Sequence, residues 1–183
     1  MERVFLKKAI ESILFVSQKP VSIRDLHKVF SDVDLEEITG CLEELIREWR
    51  DLDRGFSIYE VGGGYQFRTC PSYSDFIARF KEIKPFKLSR AALEVLAIVA
   101  YRQPITRLEI DYIRGVDSSG VIGVLLDKRL IEIKGRKEVV GRPFLYGTTQ
   151  EFLEVFGLRS LEDLPTLKEI EEIDRELKLI SGD

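Results

Sequence analysis

One stretch of this chain recurs within it. Ala9-Ile10-Glu11-Ser12-Ile13-Leu14-Phe15-Val16, running on to Pro20-Val21-Ser22, is echoed by Ala92-Leu93-Glu94-Val95-Leu96-Ala97-Ile98-Val99, running on to Pro104-Ile105-Thr106. Self-similarity of this kind predicts two domains of one type, and a copy of roughly 75–85 residues still encloses a modest core. Each copy reads as an apolar helix stopped at a proline, a short second helix capped by a hydroxyl residue, a third helix and a β-hairpin. Three helices followed by a hairpin is the order of a winged helix, a variant of the helix-turn-helix. The expected class is therefore α+β and mostly helical, with two tandem winged-helix domains. Residues 1–80 form the first, 81–87 a linker, 88–158 the second, and 159–183 an acidic amphipathic tail.

Local patterns place the elements. In the first copy Val4, Phe5, Ala9, Ile13 and Val16 recur at helical spacing, and Pro20 blocks continuation. Ser22 with Asp25, and Asp34 with Glu37, have the spacing that caps helix starts. The third helix has its stripe at Ile38, Leu42, Leu45, Ile46 and Trp49. Phe56–Val61 and Tyr65–Thr69 read as strands joined by Gly62-Gly63-Gly64, residues that tolerate the positive backbone angles of a tight hairpin. A short helix over 72–80 leads to the linker. In the second copy Leu93, Leu96, Ala97 and Ala100 mark the buried stripe, Thr106 with Glu109 caps the second helix, and Asp117 opens a third that runs to Arg129. A hairpin over 130–147, with its tip at 135–142, and a closing helix from Thr148 to Gly157 complete the unit. Further on, Leu164, Leu167, Ile170, Ile173, Leu177 and Ile180 recur every three or four residues among acids.

Hydrophobic residues make up 44% and charged residues 33% of the chain, the balance of a soluble globular protein. No apolar run approaches the ~20 residues of a membrane span, and the N-terminus lacks the apolar core of a signal peptide, so a cytoplasmic protein without membrane contact is expected. The net charge of −4 is unevenly spread, with residues 79–150 basic and both flanks acidic. A basic middle suits an acidic protein partner or nucleic acid alike.

Little in the sequence suits catalysis. His27 is the only histidine, and Cys41 and Cys70 stand apart without metal-ligand spacing, so no catalytic residue, metal or cofactor is expected. The third helix of the first copy bears Glu36, Glu37, Glu43 and Glu44, which repel phosphate. Its counterpart offers Ser118, Ser119, Gly120, Val121 and Ile122, without the Arg, Asn or Gln that reads base edges. Small and apolar residues there suit packing against a polypeptide. Arg102, Arg107, Arg114, Arg136 and Arg142 supply guanidinium groups for a partner's carboxylates, and with Val121 and Ile122 they form the candidate partner-binding set. The alternative reading is a winged-helix DNA-binding transcriptional regulator using the second copy's basic wing.

The run Leu88-Ser89-Arg90-Ala91-Ala92-Leu93-Glu94-Val95-Leu96-Ala97-Ile98-Val99-Ala100-Tyr101-Arg102-Gln103-Pro104-Ile105-Thr106-Arg107 resembles the signature of the bacterial segregation and condensation protein B family. Ile113-Arg114-Gly115-Val116, Gly141-Arg142-Pro143, Leu145-Tyr146-Gly147-Thr148-Thr149 and Leu161-Glu162-Asp163-Leu164-Pro165 continue the likeness. It is dense over 88–165, rests mainly on helix order and the Ala-Ile-Glu-Ser-Ile-Leu-Phe run over 1–80, and does not extend over 166–183. The resemblance implies a non-catalytic, homodimeric subunit of the structural-maintenance-of-chromosomes complex, acting in chromosome condensation and partition. Its partner would be the central region of the kleisin, segregation and condensation protein A, which bridges the ATPase heads. Contact with the ATPase would then run through the kleisin, contact with DNA would be indirect, and the protein would sit in the cytoplasm at the nucleoid. The first copy is expected to dimerise and the second to hold the partner.

Overall fold

The computed structural model describes residues 2–82, 87–166, 168–170 and 172. The first unit comprises α1 (Arg3–Val16), α2 (Ile23–Val29), α3 (Leu35–Asp51), the strands β1 (Phe56–Val61) and β2 (Gly64–Thr69), a 3₁₀ turn (Pro71–Tyr73) and α4 (Ser74–Lys81). The second comprises α5 (Arg90–Arg102), β3 (Ile105–Thr106), α6 (Arg107–Arg114), α7 (Ser119–Asp127), β4 (Ile131–Arg136), β5 (Phe144–Thr148) and α8 (Gln150–Phe156). Both units thus show the winged-helix order, each around its own core. Much of the linker, 83–86, and the tail positions Leu167, Ile173, Leu177 and Ile180 lie outside the described residues.

The caps follow from residue chemistry. Ser22 Oγ accepts from the Asp25 amide, Thr149 Oγ1 from the Phe152 amide, and Ser89 Oγ from the Ala92 amide, each satisfying an N–H that the first turn leaves without a helical partner. Asp34 departs from expectation, because its side chain makes no capping bond at the start of α3. α7 stops at Asp127, short of the expected end, and Arg129 turns out of the helix at φ +55°.

The phase of α1 also differs from the reading of its letters. Leu6, Ile10 and Leu14 are its core side chains, whereas Val4, Phe5, Phe15 and Val16 are exposed on the opposite face. α1 and α5 end at Val16 and Arg102, and matching those ends sets Leu6, Ile10 and Leu14 against Ala92, Leu96 and Ala100, all buried. The textual echo therefore lies nearly one helical turn away from the structural register. Beyond the proline the two registers agree: Leu26 matches Ile110, Ile38 matches Ile122 and Cys41 matches Leu125, every one a core residue.

Gly62 and Gly63 form a two-residue turn at φ +57° and +69°, with Val61 opposite Gly64 in the antiparallel ladder. Gly64 has a separate reason, since a Cβ there would sit 2.9 Å from the Val21 backbone. That close approach lets Val21 and Tyr65 exchange two backbone hydrogen bonds of 2.9 Å each. The second unit builds the same contact into a strand the sequence did not announce. Ile105 and Thr106 pair with Tyr146 and Leu145, giving an antiparallel sheet in the order β3-β5-β4 with a bulge between Ile133 and Gly135.

The first wing closes on the second unit. Gly62 and Gly63 donate their amides to the carbonyls of Leu158 and Arg159, both at 2.8 Å, and Arg68 Nη2 donates to the Glu154 carbonyl at 2.7 Å. Gln150 Nε2 donates to the Gly62 carbonyl. Glu154, Leu158 and Arg159 lie in and just beyond the last turn of α8, where carbonyls lack helical donors, whereas Gln150 reaches over from its first position.

Candidate partner-binding surface

α6 begins in a reciprocal capping box. Glu109 N donates to Thr106 Oγ1 at 3.3 Å, while Glu109 Oε2 accepts from Thr106 N at 2.8 Å. Lys137 Nζ reaches from the second wing to Glu109 Oε1 at 2.6 Å. The Lys137 ammonium first, and Thr106 after it, hold the Glu109 carboxyl at about 2, below the ordinary 4.5. The wing is thereby tied to the start of α6. Gly115, left-handed at φ +72°, ends the helix.

With Ile110 turned into the core, the opposite face of α6 points outward. Leu108 is 63% exposed, Tyr112 90%, and Ile113 lies open beside them. Arg102, Pro104 and Ile105, from the end of α5 and the turn into β3, complete a shallow apolar groove against these residues. Gln103 fixes that turn: Oε1 accepts from the Thr148 amide at 2.7 Å, and Nε2 donates to Thr148 Oγ1 at 2.9 Å. Its side chain therefore clamps the C-terminal end of β5 to the end of α5.

The expected partner-binding residues divide in two. Arg102 lies at the groove, exposed. Arg107 stands at the first position of α6 with Nη1 3.4 Å from Asp117 Oδ1. At the wing, Arg136 lies 4.0 Å over the Phe144 ring and donates to the Arg142 carbonyl at 3.0 Å, while exposed Arg142 turns at φ +38°. The other three belong to the fold. The side chain of Arg114 is only 8% exposed, with Nε 3.1 Å from Glu94 Oε2 and Nη1 3.0 Å from Ser118 Oγ, so it ties α5 and α6 to the start of α7. Ile122 is 3% exposed in the core, where Ile38 sits in the first unit, and Val121 is half-buried against the same cluster. Both were expected on an exposed helix face. They point inward because a helix only nine residues long must use every third or fourth side chain to hold its unit together. The outward positions of α7 belong instead to Ser119, Gly120 and Val124.

The first unit carries a second apolar surface, to which Val16 and Trp49 of the expected helix stripes contribute. Phe15 and Val16 on α1 line a cleft with Trp49, Phe56 and Phe67, and the Trp49 and Phe67 rings meet edge to face at 4.9 Å. Trp49 Nε1 donates to Glu11 Oε1 at 2.7 Å, which satisfies the indole while leaving its ring to the cleft. Leu108, Tyr112 and Ile113 were not singled out either. Comparison of the two copies contained the signal: Arg24 and Lys28 on α2 occupy the positions of Leu108 and Tyr112 on α6.

Among the described residues, no group of three or more His, Cys, Asp or Glu side chains converges as a metal site. His27 is half-buried on α2, and burial pushes the Cys41 thiol up from its ordinary pKa. No helix among the described residues is long and apolar enough to cross a membrane.

Fold and surfaces together define a tandem winged-helix protein with an apolar patch left outward on each unit. The family model of the Segregation and condensation complex subunit ScpB matches residues 8–167, and the chain belongs to that family. Segregation and condensation protein B of Syntrophotalea carbinolica is 52% identical over 176 residues, 96% of this chain and 89% of the relative. The Myxococcus xanthus protein of the same name is 47% identical over 171 residues, 93% of this chain, which spans about half (52%) of that longer relative. Among solved structures, ScpB from Mycobacterium tuberculosis is 30% identical over 86% of this chain and 98% of its own, with a TM-score of 0.41. A dimer of an ScpB N-terminal domain complexed with ScpA peptide is 24% identical over 40% of this chain and 91% of its own, with a TM-score of 0.37.

Proposed function

We propose that the chain is a non-catalytic, homodimeric scaffold in a bacterial chromosome segregation and condensation complex, and that its partner is the kleisin subunit ScpA, which bridges the ATPase heads. The protein then works in the cytoplasm at the nucleoid, touching the ATPase and DNA through the kleisin. The observation that carries this reading is the pair of apolar faces left outward on otherwise complete winged-helix units. A winged helix needs neither for its core. In this assignment Val4, Phe5, Phe15 and Val16 on α1 face a second copy, and the second unit holds the kleisin, with Arg102, Arg107, Arg136 and Arg142 available to its carboxylates.

Light scattering and calorimetry test the proposal. Full-length protein is expected to be dimeric at tens of micromolar, and Phe15→Asp with Val16→Asp to shift it to monomer. Calorimetry with the kleisin middle region, beside a DNA titration over a range of salt concentrations, tests the partner. Sub-micromolar DNA binding at physiological salt with no measurable kleisin affinity would replace the scaffold by the winged-helix regulator, whose phosphate contacts would come from the exposed arginines of the second wing.

A further inference from the structure

We propose that the groove between α6 and the α5–β3 turn receives an amphipathic helix of the kleisin, with its apolar ridge on Leu108, Tyr112 and Ile113 and a carboxylate on Arg102. This inference rests on the kleisin reading above and names where, and by what chemistry, that partner docks.

The internal repeat supplies the control. α2 and α6 are the same element in two units, capped alike by Ser22 and Thr106, with Leu26 and Ile110 buried at matching positions. Their outward positions differ in kind. α2 presents Arg24 and Lys28 to solvent, and Lys28 Nζ pairs locally with Asp25 at 2.7 Å. α6 presents Leu108 and Tyr112 there, more than half exposed. Since the first unit folds with cations at these positions, the fold does not ask for apolar side chains. Uncovered, Leu108 and Tyr112 keep apolar area in water that burial would stabilise.

The geometry selects a helix as occupant. Leu108 and Tyr112 stand one turn apart, the spacing that i, i+3 and i+4 side chains of a facing helix fill. An extended strand has no purchase here, because β3 is two residues long, follows Pro104, and has already given the Thr106 amide to Glu109. Charge selects an acidic face. The one carboxylate lining the groove, Glu109, is neutralised by Lys137, whereas Arg102 has no acidic partner among the described residues, within a segment, 79–150, that is basic overall.

The test transplants the first unit's surface onto the second. Leu108→Arg with Tyr112→Lys, in the full-length chain, reproduces the outward residues of α2 and is expected to leave the melting temperature and the dimer unchanged. Affinity for purified kleisin should fall roughly thirtyfold or more, the scale of losing a buried anchor. Tyr112→Ala, a milder change, should fall in the same direction and serves if the double variant misfolds. Arg102→Glu should weaken binding and flatten its salt dependence, while Val29→Lys, at an exposed position on α2 of the first unit, should change nothing. Wild-type protein that binds kleisin beside an L108R/Y112K variant that binds as tightly would overturn this inference and leave the proposed function standing. Wild-type protein with no kleisin affinity would overturn both. Loss of the dimer in the double variant would make a second copy the occupant. Tighter kleisin binding than wild type on deletion of residues 167–183 would make the chain's own acidic end the groove's resting occupant and overturn the assignment of the groove to the kleisin alone.

Discussion

The two winged-helix units agree where the fold needs them to and diverge where a partner would meet them. Inside, Leu26 and Ile110, Ile38 and Ile122, Cys41 and Leu125 take matching places. Outside, α3 is a seventeen-residue helix with Glu36 and Glu37 in its first turn, whereas α7 has nine residues and opens on Ser119 and Gly120. α1 leaves Phe15 and Val16 open, while Tyr101 near the end of α5 is engaged, its hydroxyl donating to the Pro165 carbonyl at 2.6 Å. A repeated fold thus separates two kinds of apolar residue that composition cannot distinguish: those common to both copies, which build the core, and those particular to one.

The sharpest attack on this comparison is at the matched core. Ile38→Ala and Ile122→Ala should each cost about 2–5 kcal/mol in urea unfolding, because both delete a buried side chain and leave a cavity. A neutral Ile122→Ala would break the register between the copies. Next in size, Arg114→Ala should destabilise by about 1–3 kcal/mol, since its guanidinium is enclosed and its removal leaves the buried Ser118 hydroxyl only a long bond of 3.5 Å to the Val116 carbonyl. Arg107→Ala, at a half-exposed pair, should stay within about 0.5 kcal/mol. Chemical denaturation of the two variants side by side checks the contrast. Thr106→Ala and Ser22→Ala should each cost about 1 kcal/mol as lost caps.

The smallest effect is one of pH. Asp25 and Glu109 occupy the same place in the two copies, and both are held at about 2, Asp25 by Lys28 and then Ser22, Glu109 by Lys137 and then Thr106. A carboxyl held below its ordinary value stabilises the fold fully above that value, and the contribution fades as pH falls toward about 2. Both units should therefore weaken between roughly pH 4.5 and 2. The copies should differ in what comes loose, because Lys28 belongs to α2 itself whereas Lys137 belongs to a wing. Acidification should free the second wing from α6 while leaving the first in place. Glu109→Gln should mimic that release at neutral pH, read by amide exchange in β4.

The closing helix, read as starting at Thr148, takes Thr149 as its cap, whereas the caps at Ser22 and Thr106 were legible because capping depends on residues three apart and on little else. So was the glycine turn after Val61. The phase of α1 was not, since Val4, Phe5, Phe15 and Val16 on one face and Leu6, Ile10 and Leu14 on the other both satisfy helical spacing. Only packing against α3 and the sheet chooses between them. β3 escaped notice because two residues make no pattern, and the strand exists through its distant partner β5. The second family of misreadings concerns direction: Arg114 and Ile122 looked available by type, and a side chain's type does not state which way its helix turns it.

The first wing ends as a hook over the last turns of α8, held through the amides of Gly62 and Gly63 and the guanidinium of Arg68. Mechanically, a pull between the two units loads this hook. A few short hydrogen bonds sharing one load resist together and yield together, so the first wing is expected to part from the second unit in one cooperative step rather than by degrees. A side chain added at Gly62 would push aside the end of the Gln150 side chain and sit at a backbone angle that L residues rarely adopt, so the hook would lose the Gln150 bond while its backbone bonds to Leu158 and Arg159 carry the load.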